Sequence, residues 1–208
     1  MKQSESIFTL NETLKTIKTR RSIRSFAKED ISDETIGMLL QAANEAPSAH
    51  NQQSWRFIVL KGQKKQRLSE LVAHGAMRFP RPAQALLRMS ARSIASAPVV
   101  IAVANTGDLI EHGTKLFKVE KAMAYDFFRT MEIQSSAAAV ENLLLAATSL
   151  GLATVWLGIM FLMKDEVLRY LGEPVGEFMA VVPVGYASHE AGSGPKKQPL
   201  EMKVKYLD

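Results

Sequence analysis

Apolar positions along this chain recur at helical spacing in some stretches and alternate in others, and the switches between the two patterns mark its elements. Leu10, Leu14 and Ile17 share one helical face, and Thr9-Leu10-Asn11-Glu12 has the Thr-x-x-Glu spacing of a capping box, so a short helix is predicted before Arg20. Residues 1–8 read as a flexible arm ahead of a single domain over 9–208. Ser32 is placed to cap a second helix, with Asp33 and Glu34 in its first turn and Ile36, Leu39, Leu40 and Ala43 in one stripe. Pro47 forbids smooth continuation and pushes Ala46 toward extended backbone, which makes 47–54 a loop. Trp55, Phe57 and Val59 alternate with Arg56 and Ile58, predicting a strand through Leu60 that breaks at Gly62.

Gln63 to His74 reads as an exposed helix turning Leu68, Leu71 and Val72 inward, and Ala83 to Ser96 is compatible with a helix behind Pro80 and Pro82. Pro98 to Ala104 is apolar throughout, the pattern of a strand covered on both faces. Residues 109–130 mix charge with Phe117, Tyr125, Phe127 and Phe128, which fits an aromatic-faced helix packed on the core, with a lid as the other reading. Glu132 to Leu150 is apolar nearly all round and predicts a central buried helix stopped by Gly151. A strand over Leu152–Leu157, a helix over Lys164–Leu171 stopped by Gly172, and a strand over Phe178–Val184 follow. Pro183 belongs near that strand's end or on an edge. The tail 199–208, with Met202, Val204 and Tyr206 alternating, has the pattern of one more strand. Together these predict an α+β fold, a small mixed sheet flanked by helices with 132–150 at its centre.

The apolar run Ala137–Met163 is interrupted by Glu141, Asn142 and Thr148, so a buried helix and strand explain it better than a membrane span. The 208 residues include 26 Lys and Arg against 21 Asp and Glu, a net charge of +5, which permits an anionic ligand without demanding nucleic acid. There is no cysteine, which excludes disulfides and thiolate chemistry, and Met1 to Leu10 lacks the apolar core of a signal peptide. A cytoplasmic protein is expected.

Three polar clusters carry the candidate chemistry. Arg20-Arg21-Ser22-Ile23-Arg24-Ser25-Phe26 concentrates guanidinium forks and hydroxyls suited to a phosphate. Pro47-Ser48-Ala49-His50-Asn51-Gln52-Gln53-Ser54-Trp55 is the second, and Pro195-Lys196-Lys197-Gln198-Pro199 the third. The three are expected to meet around one phosphorylated, planar cofactor. His50, His74, His112 and His189 are scattered without metal-ligand spacing, so no metal site is expected. No Gly-x-Gly-x-x-Gly, P-loop or Gly-x-Ser-x-Gly pattern is present, which argues against a separate dinucleotide fold, a nucleotide triphosphatase or a hydrolase elbow.

In order and spacing, these segments resemble the nitroreductase family of FMN-dependent oxidoreductases. Residues 20–26 resemble its Arg-Arg-Ser-x-Arg-x-Phe opening and 47–55 its Pro-Ser-x-x-Asn-x-Gln-Pro-Trp loop, while 137–158 resemble its central helix followed by a Gly-Leu-x-Thr-x-Trp-x-Gly strand. Val182-Pro183-Val184-Gly185-Tyr186 and the later Pro-Lys-Lys-x-Pro-Leu resemble its C-terminal part. The resemblance implies a homodimer whose C-terminal tail reaches the partner, with FMN as cofactor and NADH or NADPH as co-substrate. It implies that Arg20, Arg21, Ser22 and Arg24 hold the phosphate and the pyrimidine edge, with Lys196 and Lys197 adding charge at the phosphate. It places Pro47, Ser48, Ala49 and Asn51 on the flavin from the partner subunit, and Leu157 and Gly158 beside its ring.

Two positions depart from the family pattern. Ser54 stands where the loop usually has proline, which changes its rigidity, and Ser22 stands where the branch that makes dimethylbenzimidazole has aspartate, which argues against that chemistry. The expected activity is transfer of reducing equivalents to nitroaromatics, quinones or similar electron-poor small molecules in ping-pong turnover, with no acid or base side chain named. An enoyl or halogenated substrate is the enzymatic alternative, and a basic module binding an anionic partner the non-enzymatic one. No nucleic acid and no membrane is expected among its partners.

Overall fold

The structure, a computed structural model, describes residues 11–190, 192 and 194–207. The chain runs α1 (Glu12–Thr19), α2 (Asp33–Asn44), β1 (Trp55–Leu60), α3 (Gly62–Gly75), α4 (Arg81–Ser96), β2 (Val99–Asn105), α5 (Asp108–Leu116), α6 (Lys121–Ser149), β3 (Ala153–Thr154), α7 (Lys164–Leu171) and β4 (Glu177–Gly185). Short 3₁₀ turns fill Ala49–Asn51, Ala76–Arg78, Gly158–Met163 and Leu200–Met202.

The strands lie in the order β1-β2-β4-β3, every neighbouring pair antiparallel. The parallel component of the expected mixed sheet is one isolated bridge, Ser22 to Thr154. β2 is buried along its whole length because it is interior and covered on both faces. Val100, Ala102 and Ala104 face one core with α3, α4 and α7, whose Leu68, Val72, Leu87, Ile94 and Val167 are fully buried. Val99, Ile101 and Val103 face the other core, against Leu39 of α2 and Val140, Leu143 and Leu144 of α6. Truncating a fully buried leucine such as Leu143 to alanine would cost about 2–5 kcal/mol. β4 is interior too, yet it accommodates Pro183. The Val181 carbonyl accepts from Leu157 N at 3.0 Å on the side away from β2. Residues two apart on a strand point the same way, so the missing N–H of Pro183 faces that side and no β2 bond is lost.

Several sequence expectations are corrected. The cap of α1 is Asn11, whose side chain accepts from Leu14 N at 3.0 Å; Thr9, Leu10 and the arm 1–8 lie outside the described residues. α6 starts at Lys121 rather than Glu132 and is 29 residues long, so most of the aromatic stretch 109–130 belongs to α5 and to the first turns of α6. Its end is as predicted: Gly151 at φ 74 donates to Thr148 O and Leu152 to Ala147 O, which satisfies the last carbonyls. The strand expected over Leu152–Leu157 is regular only at Ala153–Thr154; beyond it the chain keeps a backbone bond to β4, Leu157 N to Val181 O, before the 3₁₀ turn. The tail forms no strand among its described residues; Leu200, Met202, Tyr206 and Leu207 are exposed with no sheet edge beside them.

Candidate functional site

The first cluster is stitched to the sheet at the β3 end. Ile23 N donates to Thr154 O at 2.9 Å, Ala27 N to Tyr186 O at 2.9 Å, and Ser188 N to Ser25 O at 3.2 Å. Phe26 is the buried anchor, bridged to Ala187 and packed close to Gly185. This leaves the polar side chains outward. Arg21 donates to the carbonyls of Lys18 and Arg20 at 2.7 and 2.8 Å, closing the end of α1. Arg20 approaches Glu141 of α6 only at 3.9 Å. Arg24 makes one long contact, to Ser22 O at 3.5 Å, and has no carboxylate partner among the described residues.

The third cluster comes to the first. Gly194 lies over the Arg21 side chain, so close that an added Cβ would stand 3.1 Å from its Nε. Lys196 and Lys197 follow, exposed and without an ion pair among the described residues. Arg24 is thus a cation without a carboxylate partner among the described residues at this end of the sheet, and Lys196 and Lys197 lie within three residues of Gly194. From Thr154 the chain runs along the outer side of β4, with Trp156 Nε1 donating to Met179 O at 3.3 Å. Gly158 comes four residues after Thr154, at most about 14 Å away. Leu157 is buried while Gly158 is exposed, and nothing lies within 4 Å of where its Cβ would be. A planar group could approach this backbone without meeting a side chain.

The second cluster is held elsewhere. Ala49 N donates to Ser135 Oγ of α6 at 3.1 Å, Gln53 N to Ser48 Oγ at 3.1 Å, and Gln53 Nε2 to Asn51 Oδ1 at 2.9 Å. His50, Asn51 and Gln53 have φ of 54, 52 and 51°, left-handed backbone that non-glycine residues adopt only when their surroundings hold it. Pro47 and Asn51 are exposed, Ser48 and Ala49 half-buried. Ser135 and Glu141 stand six residues apart, about 9 Å along α6 and about 120° around it. The first and second clusters therefore attach to different faces of one helix, and no hydrogen bond or ion pair among the described residues joins them. Within one chain Ser22 and Ile23 join Thr154, four residues before Gly158, and Gly194 meets Arg21, while 47–51 attaches to α6 at Ser135.

Sequence reasoning missed a buried acid. Glu132 is 1% exposed, and its Oε1 accepts from Leu109 N at 2.8 Å. Burial pushes its carboxyl above the ordinary value, partly offset by the amides of Leu109 and Ile110 and the Ser54 hydroxyl. The signal was the spacing: Phe128, Glu132, Ser136, Val140 and Leu144 follow at intervals of four and are all buried, so an acid holds a core position. Glu132 also borders a cavity of about 370 Å³ lined by Tyr125, Arg129, Phe161, Lys164 and Glu177, where no expected cofactor residue lies. Arg129 and Glu177 form an ion pair across it. Among the described residues, no group of three or more His, Asp and Glu side chains converges on a metal position, and no helix is long and apolar enough to cross a membrane.

The family model of the nitroreductase family matches residues 17–186, from the last turn of α1 to the end of β4. The chain belongs to the nitroreductase family. A protein of Archaeoglobus fulgidus with the provisional name NADH dehydrogenase/NAD(P)H nitroreductase is 36% identical over 187 residues, covering 87% of this chain and 88% of its own. A nitroreductase of Desulfitobacterium hafniense, solved with bound FMN, superposes with a TM-score of 0.70 at 26% identity, over 96% of this chain and 100% of its own. The nitroreductase CinD of Lactococcus lactis, solved in complex with nicotinic acid, shares the fold with a TM-score of 0.75 at 18% identity, over 94% of this chain and 99% of its own.

Proposed function

We propose that this nitroreductase-family chain is a cytoplasmic, homodimeric oxidoreductase that binds FMN and passes reducing equivalents from NADH or NADPH to nitroaromatics, quinones or similar electron-poor small molecules. The observation that carries the reading is the gathering of Arg20, Arg24, Lys196 and Lys197 at one end of an edge whose other feature is the open backbone at Gly158. Cations with no carboxylate partner among the described residues, or for Arg20 only the 3.9 Å approach to Glu141, suit a phosphate, and a bare backbone suits a flat ring. The name of the Archaeoglobus relative and the FMN in the Desulfitobacterium structure support the same chemistry.

In this arrangement Arg20, Arg21, Ser22 and Arg24, with Lys196 and Lys197, hold the phosphate and the pyrimidine edge, and Leu157 and Gly158 offer backbone to the ring. The hydride and electron chemistry belongs to FMN when bound. The cations nearby stabilise negative charge that develops there. Pro47, Ser48, Ala49 and Asn51 act across the interface on the partner's cofactor, which explains why one chain alone keeps them apart from the arginines. Exposed Leu116, Phe117, Met123 and Phe127, with the apolar tail, are the surface such a dimer would cover.

The absorption spectrum of the purified protein tests this. Flavin bands releasing FMN are expected, bleached by NADH or NADPH alone and restored by a quinone or nitroaromatic. Parallel double-reciprocal lines are expected in turnover, since no second nucleotide fold is visible in the sequence. Released FAD, a colourless chain that FMN cannot reconstitute, or bands that neither nicotinamide bleaches would each overturn the assignment.

A further inference from the structure

Charge is not spread evenly along this chain. The hairpin of α3 and α4, residues 61–96, carries eight of the 26 lysines and arginines and one of the 21 acids, Glu70. The rest of the chain carries 18 cations against 20 acids, so the hairpin alone makes the protein basic. Three of its cations are engaged: Lys61 with Asp33, Arg78 with Glu166 at 2.6 Å, and Lys65 with the carbonyls of Ala95 and Ala97 at 2.8 and 2.5 Å. Lys64, Arg67, Arg81, Arg88 and Arg92 are exposed and have no ion pair among the described residues. α4 itself contains no acid. At about 100° per residue, Arg81, Arg88 and Arg92 fall within about 40° of one another, in a stripe about 17 Å long. The opposite side of α4 buries Leu87, Ser90, Ala91 and Ile94, so the stripe points to solvent on the face of the sheet away from α6.

We propose that the outer face of α4 is a docking surface for an anionic lipid bilayer. Its guanidiniums stand in line on a convex helix, so they do not converge on one phosphate; they match a plane of headgroups. Beside them Pro82 is exposed, and Met77 and Leu86 are 55% and 44% exposed. A headgroup layer covers apolar groups of this kind, whereas a phosphodiester backbone has no use for them. The stripe carries no aromatic side chain on which a base would stack. The net acidic remainder of the chain is repelled by the same lipids, which favours the orientation with α4 toward the surface. The expectation of no membrane partner rests on the lack of a span; no helix among the described residues crosses a bilayer, and surface attachment needs none. On the inner side of α4, Leu87, Ala91 and Ile94 share a core with Leu157 and Met160, and α4 packs against the turn 158–163. A docked chain thus holds the Gly158 edge one helix diameter, about 10 Å, behind the stripe. The acceptor that such a placement serves is a lipid-soluble quinone. That choice rests on the function proposed above; the docking does not.

The test is co-sedimentation of the full chain as purified with vesicles of phosphatidylcholine alone and of phosphatidylcholine and phosphatidylglycerol in equal parts. Binding is expected only to the second, and should weaken as salt rises. The triple variant Arg81→Gln, Arg88→Gln, Arg92→Gln keeps good helix formers on an exposed face and should fold as the wild type does. It should lose binding on the order of a hundredfold, about fivefold per arginine. Lysine at the same three positions should retain binding, because a headgroup plane reads charge rather than the guanidinium fork. No binding of the wild type to the anionic vesicles, or equal binding of the glutamine variant, would overturn the proposal. So would a DNA duplex that binds through the stripe while the vesicles do not. Turnover separates the two ideas. Wild type and glutamine variant should reduce a soluble quinone equally, and the variant should reduce a long-chain quinone held in the anionic vesicles more slowly. Stripe-dependent vesicle binding with reduction of neither quinone would support the docking and remove the reductase reading.

Discussion

The amide of Ile23 donates to the carbonyl of Thr154 at 2.9 Å, and Ser22 pairs with Thr154 in a parallel bridge. This contact joins residues 131 positions apart and fixes the cationic cluster at the start of the edge that leads to Gly158. The same strand end carries Val184 and Gly185 opposite Thr154 and Ala153, so the arginines are tied to a paired strand end rather than set on a free turn.

The arginines differ in role, and their variants should separate. Arg24→Ala removes a cation with no carboxylate partner among the described residues, and Arg20→Ala one with only a 3.9 Å approach to Glu141. Both should weaken FMN about ten- to a hundredfold with little change in thermal stability. Arg21→Ala should also lower the melting temperature, because its guanidinium closes the end of α1. Lys64→Ala, on the exposed face of α3, should leave affinity unchanged. Fluorescence titration with FMN reads all four, and equal affinity throughout would mean that the phosphate lies elsewhere.

Gly158 offers a cleaner probe. Its φ is not left-handed and nothing lies within 4 Å of an added Cβ, so Gly158→Val should fold with nearly the wild-type melting temperature. If a flavin ring lies over this backbone, the new side chain should block it and weaken FMN at least about tenfold. Normal FMN binding with normal stability would place the ring away from the 157–158 edge.

Removing residues 199–208 takes away Leu200, Met202, Tyr206 and Leu207, all exposed in the single chain. Sedimentation should show a dimer for the full chain and a shift toward monomer for the shortened one, since apolar side chains of this kind find cover in an interface. A flavin-loaded monomer before truncation would contradict the shared site.

Glu132 also makes a stability prediction. Its folded value is raised, so the folded state holds the proton more tightly than the unfolded chain does. The stabilisation is complete below the ordinary carboxylate value of about 4.3 and is lost as pH rises through the folded value. Urea midpoints from about pH 4 to about pH 8 should therefore fall for the wild type relative to Glu132→Gln as pH increases. A constant difference across that range would show that the carboxyl is not held neutral by the fold.

Local pattern by itself determined most of the elements. The Ser32 cap, the alternation from Trp55 to Leu60, the all-apolar Val99–Ala104 and the stop at Gly151 each depend on neighbours within a few residues, and each stands as predicted. The three polar clusters were also visible in the sequence as concentrations of charged and polar side chains. Length and partnership were not. Leu152–Leu157 has the residues of a strand but pairs over only two of them, since pairing depends on where β4 lies. The tail alternates like a strand but forms none among its described residues. Only the tertiary structure showed that Ile23 bonds Thr154 and that Gly194 meets Arg21, while Ala49 hangs from another face of α6. It alone placed Glu132 in the core, where it accepts the Leu109 amide. Both are long-range facts, set by which faces of the sheet and the long helix are buried together, and spacing along a chain carries no record of that.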